Sequence, residues 1–164
     1  IRRHLMAGTL IVALDLDIVH VERAKKDGLP VFYGDATRVE ILTRLGADKA
    51  VAFVVTADGG DMAKRMVEAI RARWPNATIH ARARSVAHAR ELLDLGATHV
   101  VPEAFEGSLQ LSGELLAAIG LPSEVVESRL SGVRAIVEAR LSEEGPYPSE
   151  PKAPAGPQTQ LGDD

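Results

Sequence analysis

An acidic residue follows each of the first two apolar segments that could form strands. Asp15 ends the run Val-Ala-Leu-Asp, and Asp35 is the second residue after the second segment. A carboxylate can accept hydrogen bonds from both hydroxyls of a ribose, and an acid near a strand end has that role in dinucleotide-binding units. The structural alternative is that Asp15 is only a polar strand end, with Asp17 as the cap of the next helix.

The segment Gly34-Asp35-Ala36-Thr37 could recognise a base. Glycine lets the backbone turn sharply. Asp35 could then accept from an adenine amino group, while the backbone at Ala36 and Thr37 reads the ring edge. The alternative is a strand-to-helix turn in which Asp35 or Thr37 caps the following helix. The position of this segment one strand–helix unit after Asp15 favours a shared ligand.

Further candidate ligand contacts lie at or after the ends of the later strands, at Thr56, Asp58 and Arg82. The loop Thr56–Asp61 contains two glycines that allow close backbone approach, and the next helix presents its positive amino terminus to an anion. Arg82 and Arg84 would project to one side of a continuing strand, where they could clamp a carboxylate or phosphate. The alternatives are a flexible loop capped by Asp61 and a solvated strand end.

The sequence gives no support for catalysis or for a metal site. Its five histidines lack metal-ligand spacing, it has no cysteine, and it contains no Gly-x-Ser-x-Gly elbow. A net charge of -4 argues against nucleic acid as a partner, because phosphate binding needs a clustered basic surface. No apolar run approaches the roughly 20 residues that cross a bilayer, and the absence of cysteine suits a cytosolic location.

Short β-branched apolar segments alternate with segments of helical period. The predicted strands are Thr9–Leu14, Pro30–Tyr33, Ala50–Thr56, Thr78–Ala83 and His99–Val101. The predicted helices are Ile18–Asp27, Val39–Leu45, Asp61–Trp74, Ser85–Leu95 and Glu106–Ile119. This alternation predicts an α/β fold with a mostly parallel, doubly wound sheet.

The pattern changes after Gly120, and we expect three regions. Residues 1–120 form the α/β domain, and residues 121–142 form a helix outside the alternation. That helix carries an apolar stripe with no following strand to cover it, which makes it a candidate dimerisation element. The stripe comprises Val126, Leu130, Val133, Val137 and Leu141. Residues 143–164 are rich in proline and poor in large apolar residues, so we expect a disordered tail.

Three motifs in order resemble the cytoplasmic domain of Kef-type glutathione-regulated potassium-efflux antiporters. They are Val31–Arg38, Ala81–Arg84 and Val101–Leu109, within a resemblance that runs from roughly residue 1 to residue 142. That domain belongs to the TrkA-type N-terminal group, also called KTN or RCK domains. The resemblance implies a Rossmann-like fold, binding of NAD(H) or AMP, and a homodimer at the cytoplasmic face of the inner membrane. It also implies control of an attached membrane antiporter domain, which is absent from this chain.

By position, the resemblance makes Asp15 the ribose acid and Asp35 the adenine contact. The opening strand and Gly-x-Gly-x-x-Gly turn of the family are not found, and we expect Ile1–Ala7 to be the end of the helix that follows that turn. Glutathione-responsive members carry basic residues near the Phe-Glu-Gly segment. This chain instead has Pro102, Gln110 and Gly113 there, so control by glutathione is not expected.

The missing strand would lie centrally, between the strands that hold Asp15 and Val54. Without it, both strands expose a ladder edge and apolar side chains, so we expect the 164-residue chain to be poorly stable or to recruit a strand from a neighbour.

The rival functional class is an NAD-dependent oxidoreductase or epimerase. It would need a Tyr-x-x-x-Lys pair, which neither Tyr33 nor Tyr147 provides. A fragment without independent function is the third alternative. The sequence does not decide between NAD(H), NADP(H) and AMP, although an acid at Asp15 disfavours a 2′-phosphate.

Overall fold

A computed structural model describes residues 11–142 of the chain. The predicted helix Ile1–Ala7, the start of the first predicted strand and the predicted tail 143–164 lie outside these residues. The described part alternates strands and helices as the sequence predicts, with a 3₁₀ turn at Ala47–Lys49. Its strands are β1 (Ala13–Asp15), β2 (Val31–Tyr33), β3 (Phe53–Val55), β4 (Ile79–Ala83) and β5 (His99–Pro102). Its helices are α1 (Ile18–Lys26), α2 (Val39–Arg44), α3 (Gly60–Arg73), α4 (Val86–Asp94), α5 (Glu103–Ala118) and α6 (Ser123–Ser142).

The strands form two parallel sheets, β1 with β2 and β3 with β4 and β5. A doubly wound sheet has the strand order 3-2-1-4-5-6, and the two observed sheets match it if position 1 falls between β1 and β3. No strand of residues 11–142 occupies that position. The α/β, parallel, doubly wound fold predicted from the sequence is therefore confirmed, as is the separation of the strands that contain Asp15 and Val54.

The main core lies on one face of the β3–β5 sheet, beneath α3 and α4. Val55 and Ala81 point from the sheet into this core, and Val67 and Leu92 meet them from the helices. The side chains that alternate with the buried strand residues point to the other face, where they are exposed: Val54, His80, His99 and Val101. Among them, His80 and His99 stack with their ring centroids 4.8 Å apart. The sheet is thus covered on one side by the described helices.

Two helix starts follow the capping rules that the sequence suggests. Asp17 accepts hydrogen bonds from the backbone N–H groups of Val19 and His20 at the start of α1, at 2.8 and 3.3 Å. Ser85 accepts from the N–H of His88 at the start of α4. These bonds satisfy donors that the first helical turn leaves free. The acceptor role also lowers the pKa of the Asp17 carboxyl, because the two backbone hydrogen bonds favour its charged form.

Three predicted boundaries are wrong. The first predicted strand includes Ile11 and Val12, whereas β1 begins at Ala13. The strand predicted from Ala50 begins at Phe53, because the 3₁₀ turn comes before it and β4 offers a ladder partner only from Ile79 onward. The helix predicted from Glu106 begins one turn earlier at Glu103, with Pro102 as its extended N-cap. An acidic first turn suits the positive amino end of a helix, which accounts for the earlier start.

The helices α5 and α6 pack against each other, and the end of α6 reaches α4. Val126 is buried, and Leu130, Val137 and Leu141 are half-buried, whereas Val133 is 44% exposed. Arg90 on α4 donates a 3.0 Å hydrogen bond to the Leu141 carbonyl. The apolar stripe of α6, which was expected to have no strand to cover it, is therefore largely covered within the chain. None of the helices in the described part is long and apolar enough to cross a membrane.

Candidate functional site

The predicted site residues all lie at the carboxyl ends of strands, but in two separate groups. Asp15, Asp35, Ala36 and Thr37 follow β1 and β2, whereas Thr56 and Asp58 follow β3 and Arg82 lies near the end of β4. The two groups belong to different sheets. Ligands of doubly wound proteins bind outside the carboxyl ends of the strands, at the point where the strand order reverses. The two groups flank that point.

Asp15 ends β1 with its side chain 42% exposed. Its Oδ1 accepts a 2.9 Å hydrogen bond from the backbone N–H of Asp17, and its Oδ2 lies 3.7 Å from His20 Nδ1. Its own carbonyl accepts from the N–H of Gly34, which ties the end of β1 to the turn after β2. An ionised carboxylate has about four acceptor positions, so Asp15 retains capacity for a ligand that donates hydrogen bonds.

Asp35 organises the turn after β2. Its Oδ1 accepts from both the backbone N–H and the hydroxyl of Thr37, at 2.9 and 2.7 Å. The Thr37 hydroxyl, followed by the Thr37 N–H, lowers the pKa of the Asp35 carboxyl below its ordinary value because both bonds favour the ionised form. The residue therefore has a structural role in the turn through Oδ1, and Oδ2 is the oxygen left for a ligand.

Arg82 joins three segments at the carboxyl edge of the second sheet. Its Nη2 donates to the Thr56 carbonyl at 2.8 Å and to the Asp58 carboxylate, both in the loop after β3. Its Nη1 lies 3.4 Å from the carboxylate of Glu103, the first residue of α5. We call Thr56, Asp58, Arg82 and Glu103 the Arg82 cluster. Three of its members were predicted, whereas the sequence analysis missed Glu103.

Gly60 and Arg84 lie together at the start of α3. A Cβ on Gly60 would come within 2.6 Å of the Arg84 guanidinium, so this side chain lies directly against the first residue of the helix. The N-cap is Gly59, which makes no side-chain cap, so the alternative in which Asp61 caps this helix does not hold. The backbone N–H of Arg84 donates to the buried His88 imidazole. A guanidinium and a helix amino terminus thus add positive potential at this edge.

A cavity of about 530 Å³ opens between the second sheet and the α5–α6 pair. Four charged side chains contribute to its lining: Arg82, Glu103, Glu106 of α5 and Arg134 of α6. The latter two form a fork-shaped ion pair, with Nε to Oε1 at 3.1 Å and Nη2 to Oε2 at 2.8 Å. The lining of this cavity does not include Asp15 or Asp35, so it is distinct from the acidic group after β1 and β2.

The chemistry of these groups is that of binding. Among residues 11–142, no three His, Asp or Glu side chains come together in a way that could hold a metal ion. The carboxylates of Asp15 and Asp35 can accept hydrogen bonds from hydroxyl or amino groups, while Arg82 and Arg84 can donate to an anion. A ligand that carries both kinds of group, such as a nucleotide, fits this combination.

Residues 1–103 match the TrkA-N domain family. The chain is also similar to the glutathione-regulated potassium-efflux system protein KefC of Salmonella paratyphi B, with 38% identity over 117 residues. This match covers 71% of the chain but only 19% of KefC, so the chain spans about a fifth of the length of the curated relatives it matches.

Two solved structures are similar in fold. The Kef CTD of Shewanella denitrificans in its AMP-bound form superposes with a TM-score of 0.66 and 28% identity, covering 79% of this chain and 93% of that one. The TrkA-N domain of the inner membrane protein ybaL from Escherichia coli gives a TM-score of 0.61 at 24% identity, with coverages of 70% and 85%. The second match shows the fold alone.

Proposed function

Because this chain belongs to the TrkA-N domain family, we propose that it is the regulatory nucleotide-binding domain of a Kef-type potassium/proton antiporter. In this role it gates transport in response to NAD(H) or another adenine nucleotide such as AMP. The bound nucleotide acts as an effector and is not turned over, so the domain is not an enzyme. Its partner is a membrane antiporter domain, which places it at the cytoplasmic face of the inner membrane.

Asp15 is the residue on which this proposal depends. It stands at the carboxyl end of β1, beside the reversal of strand order, and it is half-exposed with acceptor capacity to spare. In the proposed complex its carboxylate accepts from both ribose hydroxyls. The turn held by Asp35 and Thr37 contacts the adenine, and AMP and NAD(H) share this adenosine part. The AMP-bound state of the similar Kef CTD supports this class of ligand.

The remaining predicted contacts lie on the phosphate side of the proposed ligand. With one strand position between β1 and β3, the loop with Thr56 and Asp58 lies two positions from β1 and Arg82 on β4 lies three, at the same edge of the fold. Arg82 is the cationic member of this group, and guanidinium groups bind phosphates with two parallel hydrogen bonds. A 2′-phosphate would meet the carboxylate of Asp15, so NADP(H) is disfavoured.

Isothermal titration of the 164-residue chain with AMP, NADH and NADPH tests the proposal. We expect AMP and NADH to bind and NADPH to bind more weakly. Asp15→Asn should lower affinity by about tenfold or more, as expected for loss of hydrogen bonds to a charged acceptor. Glu22→Gln, which removes the same charge from an exposed position on α1, is the matched control. Absence of binding, or equal affinity in both variants, would contradict the proposal.

A homodimer is the second part of the proposal, and it uses α5. Leu111, Leu115 and Ile119 lie at successive turns of this helix and its end and are 62–68% exposed. A second copy of the chain that packed here would remove this apolar stripe from water. Light scattering should show dimers for the wild type and monomers for Leu115→Glu. Ile18→Glu, at an exposed apolar position on α1, should leave the dimer intact.

A further inference from the structure

We propose that Arg82 transmits the occupancy of the nucleotide site to the α5–α6 helix pair. This inference deepens the proposed function and rests on it for the identity of the ligand. The guanidinium lies on the central strand of the second sheet and holds a neighbour on each side. One side is the loop after β3, through Thr56 and Asp58, and the other is the first residue of α5, Glu103. A movement of this group therefore affects both sides.

The path continues from Glu103 through one turn of α5. Glu106 lies three residues further along the helix, on a neighbouring position of the same face, and forms the forked pair with Arg134 of α6. The two ion pairs are thus arranged in series, from the sheet to α5 and from α5 to α6. All four charged side chains line the same cavity.

The α5–α6 pair is attached in a way that lets these polar contacts set its position. Leu109 and Val126 are the buried side chains of the two helices among the described residues. Beside them lies a cavity of about 530 Å³ instead of close-packed side chains. The half-buried Leu130, Val137 and Leu141 hold α6 against its neighbours, whereas the cavity beside Glu103 and Glu106 leaves the first part of α5 room to shift. The ion pairs then determine which position is preferred.

The contact on the ligand side is easily exchanged. The Asp58 side chain is 94% exposed, so a water molecule can take the place of Arg82 as its hydrogen-bond partner at little cost. A phosphate carries more charge than a carboxylate and accepts two hydrogen bonds from one guanidinium. A nucleotide phosphate at this edge therefore displaces Asp58 from Arg82 and draws the guanidinium away from Glu103. The first turn of α5 loses its tie to the sheet as a result.

Removal of Asp58 without a ligand has the opposite effect. When the loop carboxylate is absent, Nη2 keeps its bond to the Thr56 carbonyl, but the N–H that Asp58 held becomes available to Glu103 beside Nη1. The first turn of α5 is then held more firmly. Ligand binding and the loss of Asp58 are thus predicted to change the same helix in opposite directions, which a merely structural role for Arg82 does not predict.

Hydrogen–deuterium exchange of the 164-residue chain, with and without AMP, measures these effects on residues 106–112. AMP should speed exchange there at least about twofold in the wild type, and Asp58→Asn without nucleotide should slow it by a similar factor. Glu103→Gln should bind AMP with affinity within about twofold of wild type but show neither response. Arg44→Gln, which removes a charge from an exposed position on α2 outside the Arg82 cluster, is the control and should keep both responses.

Two outcomes would overturn the inference. One is that AMP binds but the exchange response survives in Glu103→Gln or is missing in the wild type. The other is that Asp58→Asn leaves the exchange rate of residues 106–112 unchanged, or changes it by the same factor whether or not Glu103→Gln is also present. The second comparison needs no nucleotide. Failure of AMP to bind would therefore remove the proposed ligand, while the coupling through Arg82 would still be decided by the Asp58 and Glu103 variants.

Discussion

Gly113 of α5 lies directly beneath Leu130 of α6, so closely that a Cβ added to Gly113 would come within 2.9 Å of Leu130 Cδ1. This contact sets the distance between the two helices, because any larger residue at Gly113 must push the leucine aside. It also explains why Leu130 is partly covered within the chain. A glycine in the middle of a helix costs about 0.5–1 kcal/mol relative to alanine, so its presence here reflects the close approach.

Alanine substitutions at two helix glycines should differ because of this contact. Gly132→Ala on α6 has open space around the new methyl group and should raise the free energy of unfolding by about 0.5–1 kcal/mol. Gly113→Ala gains the same helix propensity but must displace Leu130, so its net effect should be near zero or destabilising. Urea denaturation of both variants measures the difference. Equal stabilisation would show that Leu130 moves without cost.

Threonine substitutions at Val54 and Val55 test which face of β3 is covered. Val54 is 72% exposed and Val55 is 4% exposed, although they are adjacent in the strand. Val54→Thr should change the free energy of unfolding by less than about 0.5 kcal/mol. Val55→Thr buries a hydroxyl in the apolar core and should cost about 1–3 kcal/mol. A large loss at Val54 would reveal a further layer over this face.

The N-cap of α4 gives a third prediction. Ser85→Ala removes the acceptor for the His88 N–H and should cost about 1 kcal/mol, which lowers the melting temperature by roughly 2–4 °C in a protein of this size. Ser85→Asp keeps an acceptor at the same position and should retain most of the stability. Thermal melts followed by circular dichroism compare the melting temperatures of the two variants. Equal decreases in melting temperature would rule out the capping role of Ser85.

The sequence predicted the local elements well because they follow from short-range rules. The alternation of β-branched runs with helical periods, the caps at Asp17 and Ser85, and the glycines that end helices all depend on neighbouring residues. Gly28, Gly46 and Gly96 indeed have positive φ values of 71°, 90° and 99°. The start of β3 was harder to predict, because the length of a strand depends on where its ladder partner begins.

The charged contacts of the site could be predicted only in part. Asp15, Asp35, Asp58 and Arg82 were identified because each lies at or just after the carboxyl end of a strand. Glu103 was missed because its pairing with Arg82 depends on the β4–β5 register, in which Arg82 lies opposite Val101. An acid directly after β5 was the available signal. The ribose and adenine roles of Asp15 and Asp35 remain predictions.

Acid should weaken the α5–α6 contact through Glu106. The fork-shaped hydrogen bond from Arg134, together with its positive charge, lowers the pKa of the Glu106 carboxyl below its ordinary value of 4.5. A carboxyl whose pKa is lower in the folded state contributes stability that is complete above the ordinary value and is lost as pH falls through the folded value. Because Glu106 and Arg134 are 33% and 41% exposed, the effect should stay below about a tenfold change in the unfolding equilibrium.

The comparison of wild type with Glu106→Gln isolates this pair from the other acids of the chain. The stability gap between them should be constant near neutral pH and close as pH falls below the ordinary value of the Glu106 carboxyl, since a protonated glutamate resembles glutamine. Glu127→Gln removes the same charge from an exposed position on α6 and corrects for net charge. Urea titrations over a pH series measure the gap. A gap that stayed constant down to about pH 3 would mean that the Arg134 contact does not depend on the charge of Glu106.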